Sequence, residues 1–377
     1  PVEESNVSEI PPTTSIGYGA ARPLLENLTG PEAPESWQGG LPFRYRLGGP
    51  GSTEIHLQIE AEYAPRAAWN VIARIPGSEY PDEMVVSGVH PDTWAYGASD
   101  HTSGLTSHLE MAQGLGKLLE AGWRPKRTLV LGFFGAEERG LTGSTEFTEL
   151  LGEGMSRVVA YVNTGNSDGQ DFEARGMPAL DDLMFDVARR VEWPGTGGTL
   201  YEDWLGKTRS SGTEEPRVTR PRGGSDYLSF YAQFGAPILM PEAGVPGGRY
   251  HCICDDFHTI ENFTDPGMRY QAAVAQVIGL LALRLSGADV LPFQYGRYAT
   301  EVVTYLEEFD ETQRAELGST VVDLDRDLKQ ARAWAEAAGR FQEVVGRRVA
   351  EGADPATFRA LNGALMRMER ALLTRRG

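Results

Sequence analysis

Short apolar runs that alternate with helical stretches constrain this chain more than any other feature. EMVVSGVH at 83–90, TLVLGFF at 128–134, VVAYVN at 158–163 and APILMPE at 236–242 read as strands. Between and around them lie helical patterns at about 102–121, from about 144, at about 178–192 and at 224–234. The first of these sets Leu105, Leu109, Ala112, Leu115 and Leu119 at helical spacing. Strands alternating with helices imply an α/β fold with a mostly parallel sheet flanked by helices on both faces. HLQIEAEY at 56–63 alternates as a further strand does, and WNVIARIPG at 69–77 reads as another. Residues 1–50 are rich in turn formers apart from a short helical pattern at about 19–28, and 193–222 mixes Gly, Thr, Pro and Arg as a long functional loop would. From about 288 the character becomes helical, with Val302, Val303, Leu306 and Phe309, then Val321, Leu324, Leu328 and Ala331, on apolar stripes over 298–350. Pro355 falls in the first turn of a last helix at 355–373. The expected organisation is an α/β domain followed by an all-helical C-terminal domain.

The 377 residues are ample for a sizeable core and for two domains. With 35 basic against 53 acidic residues the net charge is −18, which offers no basic stripe for phosphates and argues against a nucleic-acid partner. No apolar run approaches the roughly 18 residues of a membrane span. Cys252 and Cys254 are the only cysteines, so no disulfide framework exists. The start, PVEESN, has neither Met nor a charged-then-apolar leader and reads as a processed or truncated end. Localisation stays unassigned, with a secreted or periplasmic site compatible.

Chemistry-bearing residues gather where the strands end. His90 closes the first buried strand, Glu137 and Glu138 follow the next, Asn163 to Asn166 follow the third, and Tyr250-His251 lies in the loop after the fourth. Ligands of open α/β sheets bind outside the carboxyl ends of the strands, so these ends point to one crevice. Imidazole and carboxylate ligands together suit Zn²⁺, and a carboxylate such as Asp100 can bridge two ions. Of Glu137 and Glu138, one can face the metal while its neighbour takes a proton from a water that the metal polarises. His90-x-Asp92 has the spacing for a carboxylate to accept the other N–H of a ligand histidine. Each residue alone has a plainer reading: a solvated strand-end His90, a surface Glu-Glu pair, an Asp100 that caps the next helix. Their joint occurrence at consecutive strand ends counts against those readings. His56 and His108 keep the plain reading, His101 is a candidate for the pocket wall, and Cys252 and Cys254 read as structural or pocket-lining.

GVHPDTWAYGASDHTSG, FFGAEERGLTGSTEFTE and RYHCICDDF resemble the metal-binding segments of the M28 metallopeptidases, in particular the branch of glutamate carboxypeptidase II and the transferrin receptor. GWRPKRTLVL, AQFGAPI and the run from NFTDP to VLPF are similar as well, so the resemblance spans most of 14–377. It implies a zinc-dependent exopeptidase, of carboxypeptidase or aminopeptidase type, with peptide substrates and one or two zinc ions. His90, Asp100, Glu138 and His251 would be metal ligands, Glu137 the general base, and Asp92 the carboxylate behind His90. Tyr250 would donate to the oxyanion, and Gly224, Ser225 and Asp226 match a substrate-side loop. Glu146 and Glu149 match part of a structural calcium site. The implied domains are a remnant of a protease-associated (apical) domain over 1–55, a zinc peptidase domain over 56–288, and a shortened helical domain over 289–377 that supports a homodimer.

Three departures qualify the resemblance. Gly165 stands where the strand VAYVN should lead to an Asp ligand, which leaves a second zinc with His90 and the shared Asp100; Asn166 or Asp168 are the candidates to reach in. The resemblance implies further family material before Pro1 and after the helical domain. The linker PEAGVPGGR holds only Arg249, where glutamate-selective relatives carry several arginines, so glutamate specificity does not transfer. The alternatives are a catalytically impaired binding protein of the transferrin receptor type and a one-zinc acyl-transfer enzyme resembling glutaminyl cyclases.

Overall fold

The computed structural model describes residues 13–49, 54–60, 62, 64–208 and 214–373. The chain divides into two compact units, Pro1–Ala67 and Ala68–Gly377. In the first, α1 (Tyr18–Glu26) is followed by a loop in which Glu32 and Arg46 pair as an isolated bridge. The described residues of 56–63 form no strand, contrary to the alternation of HLQIEAEY. All of them are exposed, so neither face of that pattern is buried, and alternation alone does not supply a partner edge.

The second unit is built on seven strands: β1 (Val71–Ile75), β2 (Tyr80–Val89), β3 (Arg127–Phe133), β4 (Val158–Asn163), β5 (Asp171–Gly176), β6 (Val218–Thr219) and β7 (Ile238–Gly244). Their order is β1-β3-β2-β4-β7-β5-β6. The central pairings β3–β2, β2–β4 and β4–β7 are parallel, as is β5–β6, while β1 and β5 join antiparallel to β3 and β7. The connecting helices are α2 (Gly104–Glu120), α3 (Thr142–Leu151), α4 (Asp181–Ala188), α5 (Leu200–Thr208) and α6 (Tyr227–Phe234). A single turn, α7 (Phe257–Thr259), precedes the long α8 (Arg269–Gly287).

The sheet is buried on both sides because its strands alternate between two apolar sets. Val85, Leu129, Leu131 and Val162 face a core shared with Met111, Leu115, Val274 and Leu281 of α2 and α8. Their neighbours Met84, Val86, Val130 and Tyr161 face a second core with Phe134, Phe147 and Phe230. Period-two side-chain geometry with both sets apolar is what makes these strands read as continuous hydrophobic runs. Tyr161 and Phe230 stack with ring centroids 3.9 Å apart, fixing α6 against β4.

Two segments differ from the sequence expectation. The stretch 193–222 is not a bare loop: α5 buries Leu200 and Trp204, and Val218–Thr219 adds an edge strand. DFEARG at 171–176 is β5, an element that its charged residues conceal. The C-terminal helices are α9 (Tyr295–Leu317), α10 (Asp325–Ala350) and α11 (Pro355–Arg370). Asp354 caps α11 by accepting from the Ala356 and Thr357 backbone N–H at 2.9 and 3.0 Å, with Pro355 in the first turn. Arg370 at its far end donates to the Met155 and Val158 carbonyls at 2.9 and 2.7 Å, tying the helix to the start of β4.

Candidate metal centre

Four parallel strands point their carboxyl ends at one cleft of about 590 Å³, which His90, Asp100, Glu137, Glu138, Tyr250 and His251 line. Parallel pairing forces this convergence, because every crossover returns the chain to the same edge. Local backbone then aims the side chains. Ala136 (φ 58°) before the Glu pair and His251 itself (φ 56°) lie in the left-handed region, where a non-glycine residue is strained by about 1–3 kcal/mol. Such strain persists only where the surroundings fix the residue, and here it lies directly beneath the candidate ligands.

Asp100 is the hub. Its Oδ2 lies 2.9 Å from His251 Nε2, which is 3.2 Å from Glu138 Oε2, while its Oδ1 lies 3.8 Å from His90 Nε2. Ligand atoms of Asp100, Glu138 and His251 all fall within 4.8 Å of one another, the one such group among the described residues. His90 Nε2 is also 3.9 Å from Glu137 Oε2. The two oxygens of Asp100 therefore face two different imidazoles, the disposition that a bridging carboxylate needs.

The electrostatics suit a cation. Glu138 Oε1 is buried without a hydrogen-bond partner, and the His251 imidazole is the polar neighbour of Asp100 Oδ2. Burial is the main force raising the pKa of Asp100 and of Glu138, with neighbouring carboxylates adding to it. Glu137 is pushed up to about 8 by burial first, then by Asp226, Glu138, Asp100 and Asp92. His90 is lowered, chiefly by burial, and so favours the neutral form that a metal ligand requires. Carboxylates that raise one another's pKa form a site of unbalanced negative charge, which a divalent ion reverses. The donor set fits zinc.

Asp92 differs from the sequence expectation. His90 Nδ1 sits 3.0 Å from the Asp92 carbonyl and 3.7 Å from its carboxylate, so the backbone oxygen, not the side chain, accepts the imidazole N–H. The carboxylate instead accepts from the Glu137 and Glu138 backbone N–H at 3.0 and 3.2 Å, holding the Glu pair in place. Asp168 does not reach into the cleft. It is fully buried, accepting from Ser99 Oγ at 2.7 Å, Arg249 at 2.7 Å and Thr264 Oγ1 at 3.0 Å. Asn166, Gly224 and Ser225 do line the cleft. Asp226 is buried behind it, pushed up to about 7 mainly by burial, with neither carboxylate oxygen hydrogen-bonded. Glu146 and Glu149 are exposed on α3 and belong to no converging group of metal-type donors among the described residues.

Sequence reasoning missed Asp255. It is buried and accepts from the Ser99 and Asp100 backbone N–H at 2.7 and 3.0 Å, so it holds the hub residue from behind. Tyr250 is exposed; its ring stacks on His251 at 3.7 Å, and partial burial with the nearby carboxylates pushes its pKa up to about 12, keeping the phenol a donor. His101 is buried at the cleft wall, its ring 4.3 Å from that of His90, with neither ring nitrogen hydrogen-bonded. His108 is buried and lowered to about 3 by that burial. Position 165 is the most informative absence. A Cβ there would lie 2.5 Å from Glu242 Cβ and 3.0 Å from Met240 Cε, so Glu242 of β7 fills the space that a side chain at 165 would need.

The family model described as peptidase family M28 matches residues 70–273. Aminopeptidase NAALADL1 of Rattus norvegicus is 33% identical over 401 residues, covering 100% of this chain and 54% of that protein. Probable glutamate carboxypeptidase LAMP1 of Arabidopsis thaliana is 37% identical over 334 residues, covering 87% of this chain and 47% of that protein. Glutamate carboxypeptidase 2 homolog of Caenorhabditis elegans is 28% identical over 331 residues, covering 82% and 43%. The chain spans about half the length of the curated relatives it matches.

Proposed function

From the premise that the chain belongs to peptidase family M28, we propose that it is a zinc-dependent exopeptidase whose reaction centre is the cleft around Asp100. The observation that carries this reading is the convergence of Asp100, Glu138 and His251, with His90 on the second oxygen of Asp100 and Glu137 alongside. Asp100, Glu138 and His251 would hold one zinc ion, and His90 with Asp100 would contribute to a second. Zinc bound there supplies Lewis-acid polarisation of the substrate carbonyl and acidifies water.

The chain's own residues perform the proton traffic. Glu137 accepts a proton as the oxygen of water forms its bond to the peptide carbon. Tyr250 donates to the carbonyl oxygen as negative charge develops on it. The C–N bond then breaks, and Glu137 returns the proton to the departing amine. A carboxylate whose pKa burial and like charges have raised is suited to both halves of that transfer. The names of the relatives point to opposite ends of a peptide, aminopeptidase in one and glutamate carboxypeptidase in others.

Glu137→Gln tests the assignment. It should lower kcat by about 10²–10⁴-fold, the contribution of a positioned acid–base group, while zinc stoichiometry stays at the native value. Retained activity would remove Glu137 from the mechanism. The absence of a carboxylate at Gly165 favours one second reading, a binding protein with an impaired centre; a chain that binds no zinc and cleaves no peptide would support it. We further propose a homodimer through the C-terminal helices. Tyr305, Phe309 and Leu317 are exposed on α9, and light scattering at the mass of one chain would refute it.

A further inference from the structure

Charge is arranged along one wall of the cleft in a way that the hydrolytic reading leaves unused. Glu173 of β5 stands directly opposite Glu242 of β7, and Arg175 opposite Met240, so all four side chains share one face of the sheet. Arg175 is diagonal to Glu242 across the strand pair, and its guanidinium lies 2.6 Å from Glu242 Oε1. Both residues line the cleft, and Arg175 is the one Lys or Arg among the described residues that do. Gly165 makes the arrangement possible, since a side chain there would begin 2.5 Å from Glu242 Cβ and 3.1 Å from Glu242 Oε2. Oε2 accepts no hydrogen bond from the described residues, and the Glu242 side chain keeps 18% of its exposure.

A peptidase that holds a substrate carboxylate needs a cation free to pair with it, and the bidentate guanidinium is the group best shaped for that task. Here that cation is already paired, so a carboxylate arriving at this wall meets Glu242 and finds no open cation on the wall. A substrate ammonium meets the opposite situation, because Glu242 offers it a second oxygen at the cleft wall. Resting on the exopeptidase reading above, we infer that Glu242 sets substrate polarity. It takes the α-ammonium of a peptide with a free amino terminus, and its pairing with Arg175 excludes a terminal or side-chain carboxylate. Glu242 and Arg175 are thus specificity-determining residues, and the substrate class is the unblocked amino end of a peptide.

The test uses zinc-loaded native protein and two variants, Glu242→Gln and Arg175→Met, with calorimetric binding of L-leucinamide and N-acetyl-L-leucine. One probe carries only the ammonium and the other only the carboxylate. The native protein should prefer leucinamide by about 10–100-fold, the range of one charge-assisted contact. Glu242→Gln should remove that preference, and Arg175→Met should strengthen leucinamide binding by freeing Glu242. The second variant keeps the inference testable where the first does not fold. A native preference for N-acetylleucine, or an unchanged preference in Glu242→Gln, would overturn it. Hydrolysis of one peptide blocked at either end is the second readout: N-acetylation should lower kcat/KM by about 100-fold and C-terminal amidation by less than about threefold. The reverse pattern would overturn the inference while leaving the exopeptidase reading intact. No hydrolysis of any peptide, with the leucinamide preference and its loss in Glu242→Gln both present, would count against the exopeptidase reading and support the inference.

Discussion

Replacing Gly165 by Ala adds one methyl group and asks whether Glu242 really occupies the place of a side chain. The new carbon would lie 2.5 Å from Glu242 Cβ, 3.0 Å from Met240 Cε and 3.1 Å from Glu242 Oε2. Met240 Cε and the Glu242 carboxylate end flexible side chains and can swing away, but Glu242 Cβ is fixed by the backbone of β7. That strand pairs residue by residue with β5 from Asp171↔Gly244 to Gly176↔Leu239, so it cannot shift alone. Inserting a methyl group into such a space costs about 1–3 kcal/mol. In a unit of this size each kcal/mol lowers Tm by about 1.5 °C, so a fall of about 1.5–5 °C is expected. Thermal unfolding of a double-mutant cycle locates the contact. Glu242→Ala keeps the offending Cβ and should leave the cost of Gly165→Ala nearly unchanged, whereas Glu242→Gly removes the Cβ and should relieve it. A Gly165→Ala protein with native Tm, or one equally destabilised in the Glu242→Gly background, would refute the packing argument.

Two further outcomes follow from groups outside the reacting atoms. Asp255→Asn leaves one of the Ser99 and Asp100 backbone N–H groups facing an amide that cannot accept, so zinc affinity should fall by about 10–100-fold in a calorimetric titration. Glu369 of α11 is pushed up to about 7, mainly by burial, while the Tyr298 hydroxyl donates to it at 3.1 Å and opposes the rise. Its folded-state pKa lies above the unfolded value near 4.3, so the folded form binds the extra proton and stability falls as pH rises from about 4.5 to about 7. Glu369→Gln should flatten that slope by on the order of 1–3 kcal/mol, read as denaturation midpoints at pH 5 and pH 8. An identical slope in the variant would contradict it.

The centre was legible in the sequence because its geometry follows from topology. Once VVSGV, TLVLGF and VVAYVN are parallel neighbours, His90, Glu137, Glu138 and Gly165 must gather at one edge. What supports the centre was less visible. Asp255 sits in the run CICDDF with nothing to distinguish it from Asp256, yet the first holds the Asp100 backbone while the second caps α7 by accepting from Thr259 at 2.8 Å. Glu242 escaped notice because its significance depends on β5, and DFEARG carries too much charge to read as a strand before its antiparallel pairing with β7 is known. The Asp92 side chain and backbone exchange roles for a similar reason: spacing gives reach but not which oxygen arrives first. HLQIEAEY failed in the other direction, since alternation is a property of one strand and burial is a property of two.

The central claim is that the Asp100 cleft is a zinc-dependent hydrolytic site. It is tested most directly by peptide hydrolysis with protein stripped by a chelator and then titrated with Zn²⁺, next to His251→Ala treated in the same way. The account predicts no turnover in the stripped protein, full recovery in proportion to bound zinc, and little recovery in the variant, which loses one of the three converging ligands. Turnover that survives removal of all zinc, or recovery in His251→Ala equal to the native protein, would contradict it.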